Sequence, residues 1–231
     1  MLLRWATILV CCQFIDSTSL SLAAEMNASA SRDTAQIKVH QLEILEDLDK
    51  GIKEHPDSAD NYFRRAFIRS QLKQYNEALE DCEQAMRLGL NDAHIHLLKG
   101  EILFAQKNYV DALPELDKSI ILNHNIAKSY ALLAQIYNNA NEEAKALQNI
   151  SRAIILDDNN AQYYEIRADL DFKVEQYLRC IKDATCAIEL NKKSKIAYSI
   201  RSKAYFAVKD KGNALKDANK AKELAKDKTG G

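Results

Sequence analysis

Glycine and proline are scarce in this sequence, with six glycines and two prolines among 231 residues. Because both residues oppose helix interiors, their scarcity favours a mainly helical protein. An excess of charge of one sign is also missing, since 32 basic and 33 acidic residues leave a net charge of −1. Such a protein has no global attraction to nucleic acid or to an anionic membrane, so neither is an expected partner.

Charge is nevertheless uneven along the chain. Residues 40–60 hold seven acids against two lysines, whereas residues 192–228 hold twelve bases against four acids. A basic end can meet an acidic partner, although a solvated helix surface is the simpler interpretation.

Sequence patterns that carry catalysis are absent. There is no glycine-rich phosphate loop, no serine or cysteine nucleophile motif, and no carboxylate pair where a strand would meet a loop. The five histidines do not show the i and i+4 spacing by which helices usually bring metal ligands together. We therefore predict no enzyme, no metal site and no cofactor, and a small enzyme or metal carrier is only the third hypothesis.

The N-terminal apolar run, Trp5–Ile15, is short. At 1.5 Å per residue it reaches only about 16 Å, too little to span a bilayer, so no membrane span is predicted. It follows a positive start and precedes small residues ending at Ala24, which is the order of a secretory signal. We predict that residues 1–24 are such a signal and that the protein is exported to a periplasm, a secretory lumen or the exterior. An N-terminal strand or buried helix is the alternative.

The positions of the cysteines do not indicate a disulfide framework. Beyond the signal three cysteines remain, of which Cys180 and Cys186 are too far apart around one helix to pair and Cys82 is distant in sequence. All three are predicted to be small buried thiols.

The feature that is present is a period of 34 residues, which begins at Ala59 and runs without insertion or deletion. Position 4 of the five units reads Tyr62, His96, Tyr130, Tyr164 and Tyr198. Position 20 reads Ala78, Ala112, Ala146, Cys180 and Ala214, and position 27 reads Ala85, Ser119, Ala153, Ala187 and Ala221. Small residues at fixed places let two helices approach closely, while the larger ones fill the space between them.

This pattern resembles the tetratricopeptide repeat, a helix–turn–helix unit of 34 residues. The resemblance implies an all-α fold: a right-handed α-solenoid of five full repeats, preceded by an N-terminal half-repeat that acts as a capping helix. The first helix is expected at positions 2–14 and the second at 17–30 of the repeats 59–92, 93–126, 127–160, 161–194 and 195–231. Position 28 changes from Met or Ile to Lys222 in the last unit, which predicts that the array stops there.

Two segments precede the repeats. Residues 25–36 are small and polar without periodicity, and we predict a flexible tether there. Asp33 and Gln36 resemble a helix N-cap and its partner. Residues 37–58 place Leu45, Leu48 and Ile52 at the apolar positions of a second repeat helix, so they are predicted to be the half-repeat cap.

Positions 7 and 23 are predicted to form a repeated ion pair. They combine a base with an acid in four units and two neutral residues in the third: Arg65/Asp81, Lys99/Glu115, Leu133/Asn149, Arg167/Asp183 and Arg201/Asp217. Independent solvation of two helix surfaces is the alternative.

The resemblance also implies a concave binding groove, lined by first-helix positions 2, 5, 6, 9, 12 and 13. Position 6 is aliphatic in four successive units, and phenylalanines lie at positions 5, 9 and 12. The predicted partner-binding residues are Phe63, Phe67, Leu98, Phe104, Leu132, Ile166, Phe172, Ile200 and Phe206. An exposed apolar strip of this kind would take an apolar peptide or an amphipathic helix. Periodicity alone equally allows burial of these side chains under neighbouring helices.

The family's known clamp for the C-terminal carboxylate of chaperones is not expected here. Of the five positions that form it, only Lys128 matches; the others hold Phe63, Phe67, Leu98 and Leu132. We predict a non-catalytic scaffold that binds a protein or peptide partner, but not a chaperone tail. The alternative is a structural homo-oligomer in which each groove is filled by another copy.

Overall fold

The computed structural model describes residues 17–229, with side chains described for residues 35–226, and the described chain is all-helical. Helix α1 spans Ser17–Glu54. Five helix pairs follow it: α2 (Ala59–Gln71) with α3 (Tyr75–Arg87), α4 (Ala93–Ala105) with α5 (Tyr109–Leu122), α6 (Ala127–Asn139) with α7 (Glu143–Leu156), α8 (Ala161–Lys173) with α9 (Tyr177–Leu190), and α10 (Lys195–Ala207) with α11 (Lys211–Thr229). First helices therefore occupy positions 1–13 and second helices begin at position 17, within one residue of the prediction.

Local sequence explains where the first helices begin. The residue before the helix is Ser58, Asp92, Asn160 or Ser194 in four cases, and its side chain accepts a hydrogen bond from a backbone N–H of the first turn. These bonds satisfy donors that the helix itself leaves unpaired. Ile126 stands at the same place before α6 and provides no such cap.

The turn between the two helices of a repeat has the same backbone conformation in every unit. Position 15 has a left-handed conformation in all five units, with φ between 56° and 66° at Lys73, Lys107, Asn141, Glu175 and Lys209. The N–H groups of positions 15 and 16 bond back to the last turn of the first helix, as in Lys73 to Ser70 and Gln74 to Arg69. This is a Schellman motif, and it sends the second helix back along the first.

Small residues set how closely the helices pack. Each first helix packs most extensively on the second helix of its own pair and then on the helix that precedes it in sequence, so the core runs along the whole array. Gly100 marks a close approach of two helices, since a Cβ there would lie 2.6 Å from Leu116 Cδ2. Ala66, Ala134 and Ala168 occupy the same position in other units and are fully buried.

The predicted ion pairs are confirmed. Each of Arg65, Arg167 and Arg201 donates two hydrogen bonds to the aspartate of its own unit, Asp81, Asp183 or Asp217, at 2.6–2.9 Å. Lys99 Nζ lies 3.0 Å from Glu115 Oε1. The three aspartates are buried, so solvation of separate surfaces does not describe them. In the third unit Leu133 is buried and Asn149 donates to the carbonyl of Lys145 instead.

The N-terminal segment corrects one prediction. Helix α1 runs without a break through residues 25–36, so these residues are helical rather than a flexible tether, and no helix begins at Asp33. The segment is rich in alanine, which favours helix even without an apolar stripe. Residues 37–54 of α1 pack on α2 through Leu48 and its neighbours, as the half-repeat cap requires. Residues 1–16, most of the predicted signal, lie outside the described residues.

Candidate functional site

The three consecutive first helices α6, α8 and α10 enclose an open hollow of about 410 Å³, which we call the first-helix hollow. It is lined by Gln135, Asn138, Gln162, Glu165, Ile166, Asp169, Lys195, Ile196, Ser199, Ile200 and Lys203. These side chains belong to positions 1, 2, 5, 6, 9 and 12 of their units. Nearly all are positions that the resemblance assigns to a binding groove.

Aliphatic side chains give the hollow apolar surface. Ile166 and Ile200 occupy position 6 of neighbouring units, where Ile166 is half-buried and Ile200 is buried. Ile196 stands beside them and is exposed. A ligand side chain placed here would remove apolar area from water, chiefly that of Ile196 and Ile166, because Ile200 is already buried.

Carboxamides form one side of the hollow. Gln135 and Asn138 belong to α6 and Gln162 to α8. The Asn138 oxygen accepts a hydrogen bond from Lys173 Nζ at 2.6 Å. This contact fixes the orientation of the Asn138 NH₂ group. A side-chain amide carries both donors and an acceptor, so it can pair with the N–H and the C=O of a peptide backbone.

Charges of opposite sign face each other across the hollow. Glu165 and Asp169 lie on α8, whereas Lys195 and Lys203 lie on α10. Glu165 is fixed in place because it accepts a hydrogen bond from the buried Ser194 hydroxyl. Asp169 has Lys173 within 3.9 Å. The hollow therefore carries acids on its middle helix, α8, and bases on α10 at one side, an arrangement that gives a bound chain a preferred direction.

The predicted apolar strip is only partly at this surface. Of the four position-6 residues, only Ile166 is half-buried; Leu98, Leu132 and Ile200 are buried in core clusters, although Ile200 also lines the hollow. For the three buried residues the structure shows the alternative stated with the prediction, in which packed helices cover the side chain.

The five phenylalanines are also divided between core and surface. Phe104 and Phe172 lie against Tyr109 and Tyr177, with ring centroids 5.5 and 5.6 Å apart, and Phe63 packs on the core of the first unit. Phe67 and Phe206 are 47% and 68% exposed, but they lie in the first and last units. The structure does not bring the predicted residues together into one continuous strip.

Residues outside the prediction complete the hollow, namely the carboxamides, the charged residues and Ile196. The sequence did contain a signal for them. Polar residues occupy positions 2 and 9 in four consecutive units each, but a search for apolar side chains alone does not detect them.

Among residues 17–229, no group of three or more side chains could hold a metal ion, and no helix is both long and apolar enough to cross a bilayer. Cys82 and Cys180 are buried, and burial raises the pKa of each thiol to about 12. Lys128, the one match to the chaperone clamp, pairs with Glu101 at 2.7 Å.

Solved structures share this architecture. YrrB, described as a TPR protein with an unusual peptide-binding site, superposes with a TM-score of 0.64 at 17% identity, over 77% of this chain and 91% of that one. The chain has the tetratricopeptide-repeat fold. MamA gives a TM-score of 0.64 at 19% identity, over 75% of this chain and 95% of its own.

A third tetratricopeptide-repeat structure, the C-terminal part of a repeat protein from Cytophaga hutchinsonii, gives a TM-score of 0.66 at 18% identity. It covers 80% of this chain and 74% of that one. Neither protein-family models nor curated proteins match the sequence. At these identities the likeness establishes the fold of the tetratricopeptide-repeat array and leaves its ligand to the site itself.

Proposed function

We propose that this protein is a non-catalytic scaffold for protein–protein interaction that binds a peptide segment of its partner in the first-helix hollow. The observation that carries the proposal is the combination of carboxamides and aliphatic side chains on three consecutive first helices. YrrB, whose structure has the same fold, is described as having an unusual peptide-binding site, which supports the proposal.

The hollow favours a particular kind of peptide. Its carboxamides suit an extended backbone, and Ile166, Ile196 and Ile200 suit one aliphatic or aromatic side chain. The acidic and basic sides favour a basic residue of the ligand near α8 and an acidic one near α10. Because association and ordering costs offset much of the contact energy, we expect an affinity of about 1 µM.

Selection from a displayed peptide library, followed by fluorescence anisotropy, tests this proposal. The double variant Gln135→Ala with Gln162→Ala removes two carboxamides, and each lost hydrogen bond is worth about 0.5–1.5 kcal/mol. We expect selected peptides to bind the double variant about tenfold more weakly or worse. Gln148→Ala, which changes an exposed carboxamide on α7, is the matched control and is expected to bind normally. Equal affinity of all three proteins would rule out the hollow as the site.

We further propose that the protein is exported, on the support of the signal-like order of residues 1–24. Trp5 is the only tryptophan, so removal of this segment leaves a protein with tyrosine fluorescence alone. Intact-mass measurement of protein from its native compartment is expected to give a chain that begins near Ala24 or Glu25. A mass that includes Met1–Ala23 would contradict export by cleavage.

A further inference from the structure

The outer side of the last helix pair carries an apolar surface, which we call the C-terminal face. It contains a hollow of about 630 Å³ between α10 and α11, with Phe172 at its edge. The other lining residues are Ser202, Lys203, Phe206, Ala207, Lys211, Ala214, Leu215 and Ala218. Phe206 is 68% exposed and Leu215 is 65% exposed.

In the four earlier units, the corresponding face is covered by a helix. In each of them the first helix of the next unit packs against the pair. Position 21 shows the effect, because Leu79, Leu113, Leu147 and Ile181 are partly buried in core clusters there, whereas Leu215 is exposed. The C-terminal face thus has the form of a helix-binding surface whose helix is not among the described residues.

The rim of this face is basic in a way that no other unit repeats. Lysines occupy positions 1, 9, 17 and 28 of the last unit, at Lys195, Lys203, Lys211 and Lys222. Lys203 and Lys211 line the hollow itself, while Lys195 and Lys222 line an adjoining hollow that shares Lys203 and Ala218 with it. None of the other four units has a base at any of these positions. Simple solvation of the end of the array would account for the lysines but not for the exposed Phe206 and Leu215. An amphipathic helix with acids beside its apolar residues fits both features.

The chain itself carries such a helix at its other end. On α1, Val39, Leu42 and Glu46 follow the i, i+3, i+7 spacing of one helix face, and all three are exposed. Glu43 and Asp47 are exposed beside them. The opposite side of α1, at Leu48, packs on α2, and α1 contacts no other helix among the described residues.

We propose that a second copy of this chain occupies the C-terminal face, with its α1 packed through Val39 and Leu42 on Phe206 and Leu215. The acids of α1 then meet the lysines of the rim. Because the two surfaces differ and every copy carries both, the contact is heterologous and links copies head to tail. This goes beyond the proposed peptide binding, whose hollow includes neither Phe206 nor Leu215.

Sedimentation velocity of the mature chain, which begins near Glu25 and lacks the apolar run Trp5–Ile15, tests the inference over about 1–300 µM. We expect the weight-average mass to rise with concentration, and to rise less in 0.5 M salt, because salt screens the exposed charges. Leu215→Asp disables the C-terminal face, and Leu42→Lys with Glu46→Lys disables α1. Each variant alone is expected to remain monomeric, with unchanged helical circular dichroism since all three sites are exposed.

An equimolar mixture of the two variants gives the decisive result. Each retains the surface that the other has lost, so the mixture should form dimers that grow no further. Ile121→Asp, on an exposed residue of α5, is the matched control and should assemble like the wild type. Lys211→Glu with Lys222→Glu should weaken assembly at least about tenfold without changing the apolar residues. A monomeric wild type, association that survives Leu215→Asp, or a mixture that stays monomeric would each overturn the proposal.

Discussion

Arg167 and Asp183 are joined by two hydrogen bonds, from Nε to Oδ2 at 2.6 Å and from Nη2 to Oδ1 at 2.9 Å. Asp183 is buried, and the Arg167 guanidinium also lies 5.8 Å from the centroid of the Tyr164 ring. Hydrogen bonding to Asp183 raises the pKa of Arg167 against the lowering effect of burial, so the arginine stays charged. The same arrangement recurs at Arg65 and Arg201 and ties the two helices of a unit together.

A double-mutant cycle measures this coupling. Arg167→Met or Asp183→Asn alone should each lower the free energy of unfolding by about 3 kcal/mol, because one partner is left buried without the other. The double variant should lose much less than the sum, as urea unfolding can show. Arg87 and Glu83, an exposed pair 4.0 Å apart, form the matched control and should couple far more weakly. Additive losses at Arg167 and Asp183 would refute the coupling.

Asp171 is a destabilising residue at neutral pH. It is fully buried, and neither carboxylate oxygen has a hydrogen-bond partner among the described residues, although Arg179 Nη2 lies 3.5 Å from Oδ1. Burial raises the pKa of Asp171 by more than the positive charge of Arg179 lowers it, and the negative charge of Asp183 also raises it. Since the folded state binds this proton more tightly than the unfolded state, Asp171 reduces stability as the pH rises through its folded pKa.

Asp171→Asn should therefore stabilise the protein by about 1 kcal/mol at pH 7, since it removes a buried charge without a change of shape. The gain should shrink as the pH is lowered, because wild-type Asp171 becomes protonated at a higher pH in the folded state than in the unfolded state. Urea unfolding at several pH values checks both points. A variant less stable than the wild type at pH 7, or a gain independent of pH, would contradict this account.

Residue 100 must be glycine because Leu116 leaves no space for a side chain there. Alanine favours helix over glycine by about 1 kcal/mol, but its methyl group would lie 2.6 Å from Leu116 Cδ2. We expect Gly100→Ala to lose about 1–3 kcal/mol of stability in urea unfolding, as overpacked cores do. Gly212→Ala is the control, because a Cβ there meets only Asp210, at 3.8 Å, and it should be neutral or stabilising. Equal effects of the two substitutions would contradict the steric explanation.

The three described cysteines should differ in reactivity. Thiolate is the reactive form, and burial holds the pKa of Cys82 and of Cys180 at about 12. Cys186 is half-buried, and its thiol pKa is also raised by burial. Pulse alkylation at pH 8 with peptide mass mapping should label Cys186 first, and urea should remove the difference. Fast labelling of Cys82 in the folded protein would be inconsistent with this core.

Sequence alone predicted the helix pairs and the ion pairs because both recur at fixed positions. A single pair such as Arg65 and Asp81 would be weak evidence for a contact. The evidence is strong because four units combine a base with an acid, and the third unit replaces both members together, with Leu133 and Asn149. The helical state of residues 25–36 was missed, because helix propensity without an apolar stripe resembles a polar linker.

The candidate site was harder to predict than the fold. Leu132 and Ile166 hold the same repeat position, yet one is buried and the other lines the first-helix hollow. The difference depends on how far neighbouring helices cover each side chain, which periodicity does not specify. The carboxamides Gln135 and Gln162 are individually ordinary and become a site only when consecutive first helices bring them together.

Chemical-shift mapping of a library-selected peptide on the isotope-labelled protein tests the central claim most directly. Titration is expected to shift backbone amides of α6, α8 and α10 around Gln135, Gln162 and Ile196, together with the side-chain amide signals of the two glutamines. Signals from the second helices, such as those near Gln148, should stay in place. Shifts confined to the second helices, or to the C-terminal face at Phe206 and Leu215, would contradict peptide binding in the first-helix hollow.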